Sequence, residues 1–177
     1  RIFANNEIHD ISVAIGVDPH GFNDTPDLSQ LRYGKICIMA DADVDGSHIQ
    51  VLLLTLFFRH FPDLIRRGHI FVSRPPLFRV DVPKTGRKPA RTIYCLDERE
   101  LASERKKLEK EKVNMANVSV SRFKGLGEMS DEQLRETTLS PETRRLMPVS
   151  FGDLSYEESL EMFDMLMGRG EAAMRRV

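Results

Sequence analysis

The chain has 177 residues, room for one domain or one plus an appendage. Its hydrophobic content of 41% excludes a disordered chain, and its net charge of −1 excludes a globally basic nucleic-acid surface, so any basic face must be local. No apolar stretch is long enough to span a bilayer, no signal-peptide pattern is legible, and Cys37 and Cys95 lack metal-ligand spacing. The chain opens at Arg1 without an initiator Met and reads as a piece of something longer.

Residues 5–16 carry Ile8, Ile11 and Ile15 at near-helical spacing and stop at Gly16, which predicts a short amphipathic helix. Residues 17–30, rich in Asp, Pro, Gly and Asn, read as a loop in which His20 is a solvated side chain. An apolar run over residues 35–40 predicts a buried strand, with Cys37 a buried thiol of the kind a reducing cytoplasm preserves. Three aspartates follow on alternate positions, Asp41, Asp43 and Asp45, and Gly46-Ser47-His48 opens a helix. Its apolar positions Ile49, Leu52, Leu53, Leu56 and Phe57 form a face broad enough to pack on a sheet. Pro62 ends or kinks that helix, and Arg66-Arg67-Gly68 closes it.

Residues 69–74 read as the next strand, which makes a right-handed βαβ unit and hence a parallel sheet. Residues 77–82 and 92–96 predict two further strands around the basic loop KTGRKPAR, read as a solvated hairpin tip in preference to a DNA-backbone contact. Residues 97–112 predict a charged surface helix with a thin seam of Leu101, Leu108 and Val113. Residues 118–123 alternate as a strand, and in KGLGEM two glycines flank one leucine, a turn whose backbone can approach a phosphate or another chain closely. Ser130 caps a helix that stops before Pro141, and PETRRLMPV reads as one more short turn. From Ser150 the composition shifts to a Met-rich amphipathic helix, so the expected organisation is an α/β domain over 1–149 and a helical tail over 150–177.

Three like charges within five residues repel one another and need a counter-charge. A hard divalent cation with oxygen ligands supplies it, and Mg²⁺ takes one or two carboxylates while keeping several waters. Side chains two apart on an extended chain share a face, so Asp41 and Asp43 are the expected ligands and Asp45 the supporting one. An EF-hand loop with the same opening needs a bidentate Glu at its twelfth position, where this chain has Leu52. A solvated polar turn with helix-capping acids is the plainer alternative. His48, near the helix N-terminus, is either a polar first-turn residue or an anion contact.

DADVDGSHI with its Leu-rich helix, then RGHIFVSRPPLFRV, RFKGLGEM and QLRETTLSPETRRL, resembles the TOPRIM region of the B subunit of a bacterial type IIA topoisomerase. The resemblance runs from about Leu31 to Val149. The short connection between PPLFRV and RFKGLGEM resembles the topoisomerase IV branch more than gyrases with a large insert there.

The resemblance implies a Rossmann-like TOPRIM fold, a parallel sheet flanked by helices, that holds Mg²⁺ for double-strand cleavage and religation. It implies double-stranded DNA and an A subunit as partners in an A2B2 heterotetramer, a cytoplasmic location and no membrane. The A subunit supplies the attacking tyrosine, so no catalytic residue is assigned here, and Tyr33, Tyr94 and Tyr156 match no nucleophile position. ATP belongs to regions this chain does not show. The resemblance adds Lys124 and Arg175 to His48 as DNA contacts. One part is missing: TOPRIM sites also use a glutamate from an earlier strand, and Glu7, the only glutamate before Asp41, sits in a helical pattern and does not take that role. Two other readings stay open, a Mg²⁺-dependent phosphotransferase and an interaction module in which the acids are incidental.

Overall fold

The computed structural model describes residues 5–41 and 43–152. In chain order its elements are α1 (Asn5–Ile15), β1 (Ile36–Ile38), α2 (Val44–His60), α3 (Pro62–Arg66), β2 (Ile70–Ser73), β3 (Phe78–Val82), β4 (Arg91–Cys95), α4 (Glu98–Lys110), β5 (Ser119–Arg122), α5 (Asp131–Leu134) and β6 (Leu146–Pro148). Single 3₁₀ turns cover Met115–Asn117 and Leu126–Glu128, and a π turn covers Arg135–Leu139. The described residues fall into two compact units, one drawn from 5–40, 44–73 and 146–152, the other from 41, 43 and 74–145.

In the first unit, β1 and β2 pair in parallel, with Ile36 opposite Ile70, and α2 and α3 form the connection a parallel pair requires. The α/β architecture expected from the sequence is present. It departs from an all-parallel sheet in one respect: β6 pairs antiparallel on the other side of β2, Val72 opposite Met147. Residues 146–148, read as a turn, are therefore an edge strand. Pro148 can end it because an edge position spares a proline the ladder bond it cannot make. The core joins Ile15 of α1, Ile38 of β1, Leu56 and Phe58 of α2, Leu64 of α3 and Ile70 of β2, with Phe61 fully buried among them.

Gly16 ends α1 at φ +79, and an added Cβ would lie 2.2 Å from the carbonyl oxygen of Gln30, so both conformation and space demand glycine. The loop beyond it is tied down, which corrects the solvated reading of His20. The Asp63 N–H donates to His20 Nε2 at 3.1 Å, so Nδ1 carries the proton and donates to the Asp18 carbonyl at 2.9 Å. Arg66 adds a bond to the Phe22 carbonyl at 2.8 Å while lying over the Phe22 ring. Cys37 is half-buried, not buried as expected, because among the described residues the three-residue β1 has a strand neighbour on one side only. Cys95 is the fully buried thiol, and burial pushes its pKa up.

In the second unit β3 is central, pairing antiparallel with β4 and β5 so that Val80 faces Ile93 on one side and Val120 on the other. Val80, Val82 and Cys95 form a core with Leu101 and Leu108, the seam of the charged helix α4, and with Val113, which lies beyond the helix end and not on its seam as expected. Asp97 starts that helix by accepting the Glu100 N–H at 2.9 Å. The basic hairpin loop is partly committed: Arg91 and Lys88 both reach Glu111, at 2.6 and 3.4 Å. Ser130 and Gln133 close the expected capping box on α5. The expected helical tail, with its methionines and Arg175, lies in residues 153–177, outside the described residues.

Candidate metal-holding site

Regular pairing in β1 stops at Ile38. Strand alternation therefore does not reach the aspartates, and no pleat places Asp41 and Asp43 on one face. The helix also begins earlier than expected. Val44 is the first residue of α2, Asp43 immediately precedes it and Asp45 lies in its first turn, where the positive helix end favours a carboxylate. His48 becomes the fifth helical residue, past the first turn whose free N–H groups would bind an anion, and it is half-buried. Asp41, Asp43 and Asp45 are all exposed.

Asp41 has a defined seat within the second unit. Its Oδ1 accepts the backbone N–H of Leu126 at 2.8 Å, across 85 positions of sequence. The leucine is the one between the two glycines of KGLGEM. A Cβ built on Gly125 would stand 3.1 Å from the Asp41 carboxyl carbon and 3.1 and 3.2 Å from its two oxygens. The glycine therefore leaves the space that the carboxylate fills. The loop itself is shaped by the Leu126–Glu128 turn and by Glu128, whose carboxylate accepts the Lys124 N–H at 3.2 Å. Gly127 differs from Gly125: an added Cβ there meets nothing within 4 Å.

The donor set suits magnesium in kind. Residues 41–45 offer carboxylate oxygens only, and hard oxygen donors match a hard cation. Asp41 keeps Oδ2 without a hydrogen bond among the described residues, while Oδ1 is fixed by the amide. The set is incomplete in number: no group of three His, Cys, Asp or Glu side chains is assembled for a metal among the described residues. Two carboxylates with water in the remaining positions is an arrangement magnesium accepts. Lys124, just before Gly125 and the Leu126 amide, is exposed. Among the described residues, Tyr94 is not an activated hydroxyl. Tyr94 donates to Glu136 at 3.4 Å, and burial followed by the Glu136 charge pushes its pKa up, away from a nucleophile. What sequence reasoning missed was the Leu126 amide. The glycine pair signalled a close backbone approach, but nothing in the residue pattern named Asp41 as the group approached.

A mixed sheet whose first strand is followed by an acidic turn, and a later glycine loop that holds Asp41, are the features of the class. Residues 6–75 match the Toprim domain model, and residues 115–177 match the model described as DNA gyrase B subunit, carboxyl terminus. The chain belongs to the family of type IIA topoisomerase B subunits.

It is 49% identical over 176 residues to the B subunit of DNA topoisomerase 4 from Salmonella typhimurium, covering 99% of this chain and 26% of that protein. Identity to the corresponding topoisomerase 4 protein of Escherichia coli is 47% over 176 residues, with the same 99% and 26% coverage. Identity to the DNA gyrase B subunit of Thermotoga maritima is 43% over 175 residues, 99% of this chain and 25% of that protein. The chain thus spans about a quarter of the length of the curated relatives it matches.

Proposed function

We propose that this chain is the magnesium-holding, DNA-facing region of an ATP-dependent type IIA DNA topoisomerase that cuts and reseals both strands of a duplex. The seating of the DADVDG aspartate Asp41 on the KGLGEM loop carries this reading, because it joins the acidic turn to the loop that bears Lys124. Asp41 and Asp43 hold Mg²⁺, with Asp45 in support. Exposed Lys124 meets backbone phosphate, and His48 and Arg175 are the further DNA contacts. Bound magnesium supplies charge stabilisation at the phosphate and at the departing 3′ oxygen. The chain's own residues orient the carboxylates and place cationic charge on the duplex. The attacking tyrosine belongs to an A subunit, in an A2B2 heterotetramer, and ATP binds in regions outside this chain. A bacterial chromosome as substrate implies a cytoplasmic protein. No helix among the described residues is long and apolar enough to cross a membrane.

Decatenation and relaxation fit better than supercoiling. Topoisomerase 4 relatives reach 49% identity against 43 and 46% for two gyrase B subunits, with 99% of the chain aligned in each. Asp41→Asn and Asp43→Asn in the whole B subunit, reconstituted with its A subunit, test the proposal. Mg²⁺-dependent plasmid cleavage should fall at least roughly 100-fold, the scale on which removing a charge-stabilising group acts. Undiminished cleavage in both variants would overturn the magnesium assignment. ATP-driven supercoiling of relaxed plasmid by the unmodified enzyme would move the reading to gyrase.

A further inference from the structure

We propose that the Leu126 backbone amide, reached through the gap at Gly125, is the positioning group for Asp41, so that the KGLGEM loop sets the affinity of the acidic turn for its metal. This deepens the magnesium reading above and rests on it. Three observations converge. Asp41 is exposed, yet its Oδ1 is held by an N–H at 2.8 Å from a residue distant in sequence. A Cβ at position 125 would stand 3.1–3.2 Å from all three carboxyl atoms, so a side chain there would displace the carboxylate by a few tenths of an ångström from its place on the amide. The second glycine of the same motif has open space around its missing Cβ, so the close approach is specific to Gly125.

The physical consequence is orientation. An exposed aspartate that must find its rotamer loses side-chain freedom when it binds an ion, and one already fixed loses less. The amide donates to one carboxylate oxygen and leaves Oδ2 for the metal. It also carries no charge to compete with the cation, as a lysine or arginine partner would. Groups that orient metal ligands in this way typically govern affinity by roughly 10- to 100-fold. Lys124 sits on the same loop, so one backbone turn places both the metal ligand and the cation proposed to meet phosphate.

The test compares Gly125→Ala with Gly127→Ala in the whole B subunit reconstituted with its A subunit. Cleavage of supercoiled plasmid is titrated with Mg²⁺, and Mn²⁺ binding is measured separately by electron paramagnetic resonance without DNA. The Gly125 variant should need roughly 10- to 100-fold more metal for half-maximal cleavage and show weaker Mn²⁺ binding, with cleavage partly restored at saturating metal. The Gly127 variant should match the unmodified protein in both. Should Gly125→Ala fail to fold, the Leu126 amide still decides the matter. Its NMR shift and exchange protection should change in Asp41→Asn and stay unchanged in Asp45→Asn. Equal metal titrations for the two glycine variants, or a Leu126 amide indifferent to Asp41→Asn, would overturn the clamp. If Asp41→Asn itself leaves the metal titration unchanged, the magnesium reading fails as well. If only Gly125→Ala is silent, the clamp fails alone.

Discussion

The acidic triplet shows how far residue types speak for themselves. Three carboxylates in five positions announced a need for positive charge, and that much was legible. Their division of labour was not. Asp45 is helical, Asp43 borders the helix, and Asp41 is held by a main-chain N–H, a donor that every non-proline residue carries and no sequence pattern marks. His60 shows the same limit in an ionisable group. Burial, and after it the Arg59 charge, lowers its pKa below the ordinary 6.5. A histidine whose folded pKa is depressed binds fewer protons folded than unfolded. Its neutral form therefore stabilises the fold above the unfolded pKa. That contribution is lost as pH falls from about 6.5 towards the folded value. Thermal unfolding of the unmodified chain and of His60→Gln, each measured at about pH 7.5 and about pH 5.5, checks this. The variant should gain relative to the unmodified chain as pH falls. A constant difference between them would show that His60 does not contribute.

Elements were legible where local signals agreed and illegible where partners were remote. Helix α4 follows from its Asp97 cap and its seam, and α5 from its capping box, all within a few residues. The strand at Leu146–Pro148 has no such signal, because what makes it a strand is β2, more than 70 positions earlier. Helix α3 is the clearest case of remote support. Five residues cannot hold a helix unaided. Pro62 supplies a fixed φ at its start, and the next free N–H, on Asp63, is taken by His20 from 43 positions away. The His20 ring also meets Phe61 edge-on at 6.1 Å. His20→Ala should therefore cost about 1 kcal/mol, the usual loss when an N-terminal acceptor is removed. Urea unfolding would show a lower midpoint with the slope unchanged, and the Asp63 amide would exchange faster. An unaltered midpoint would mean that the cap contributes nothing to stability.

Across the whole molecule there are two cores: that of an α/β unit containing the helix after the acidic turn, and that of an antiparallel unit carrying KGLGEM together with Asp41. Long motifs in order made this class legible from sequence, because each motif is a run of neighbours. The division into two units was not, since it depends on contacts that return residues 146–152 to the first unit after the second is complete. The proposed chemistry needs a hydroxyl that can become a nucleophile, and none is prepared among the described residues. Tyr94 is tied to Glu136 with its pKa raised, and Tyr33 is half exposed at 52%, with no base among the described residues set to draw off its proton. With the proposed metal ligands and cations but no activated tyrosine among the described residues, the 177-residue chain should bind duplex DNA weakly and leave it whole. Incubated alone with supercoiled plasmid, Mg²⁺ and ATP, it should produce neither relaxed nor linear product and release no phosphate. The whole B subunit mixed with its A subunit should produce relaxed and decatenated DNA under the same conditions. Relaxation by the chain alone would place the nucleophile within these residues and overturn the assignment of the attacking tyrosine to the A subunit.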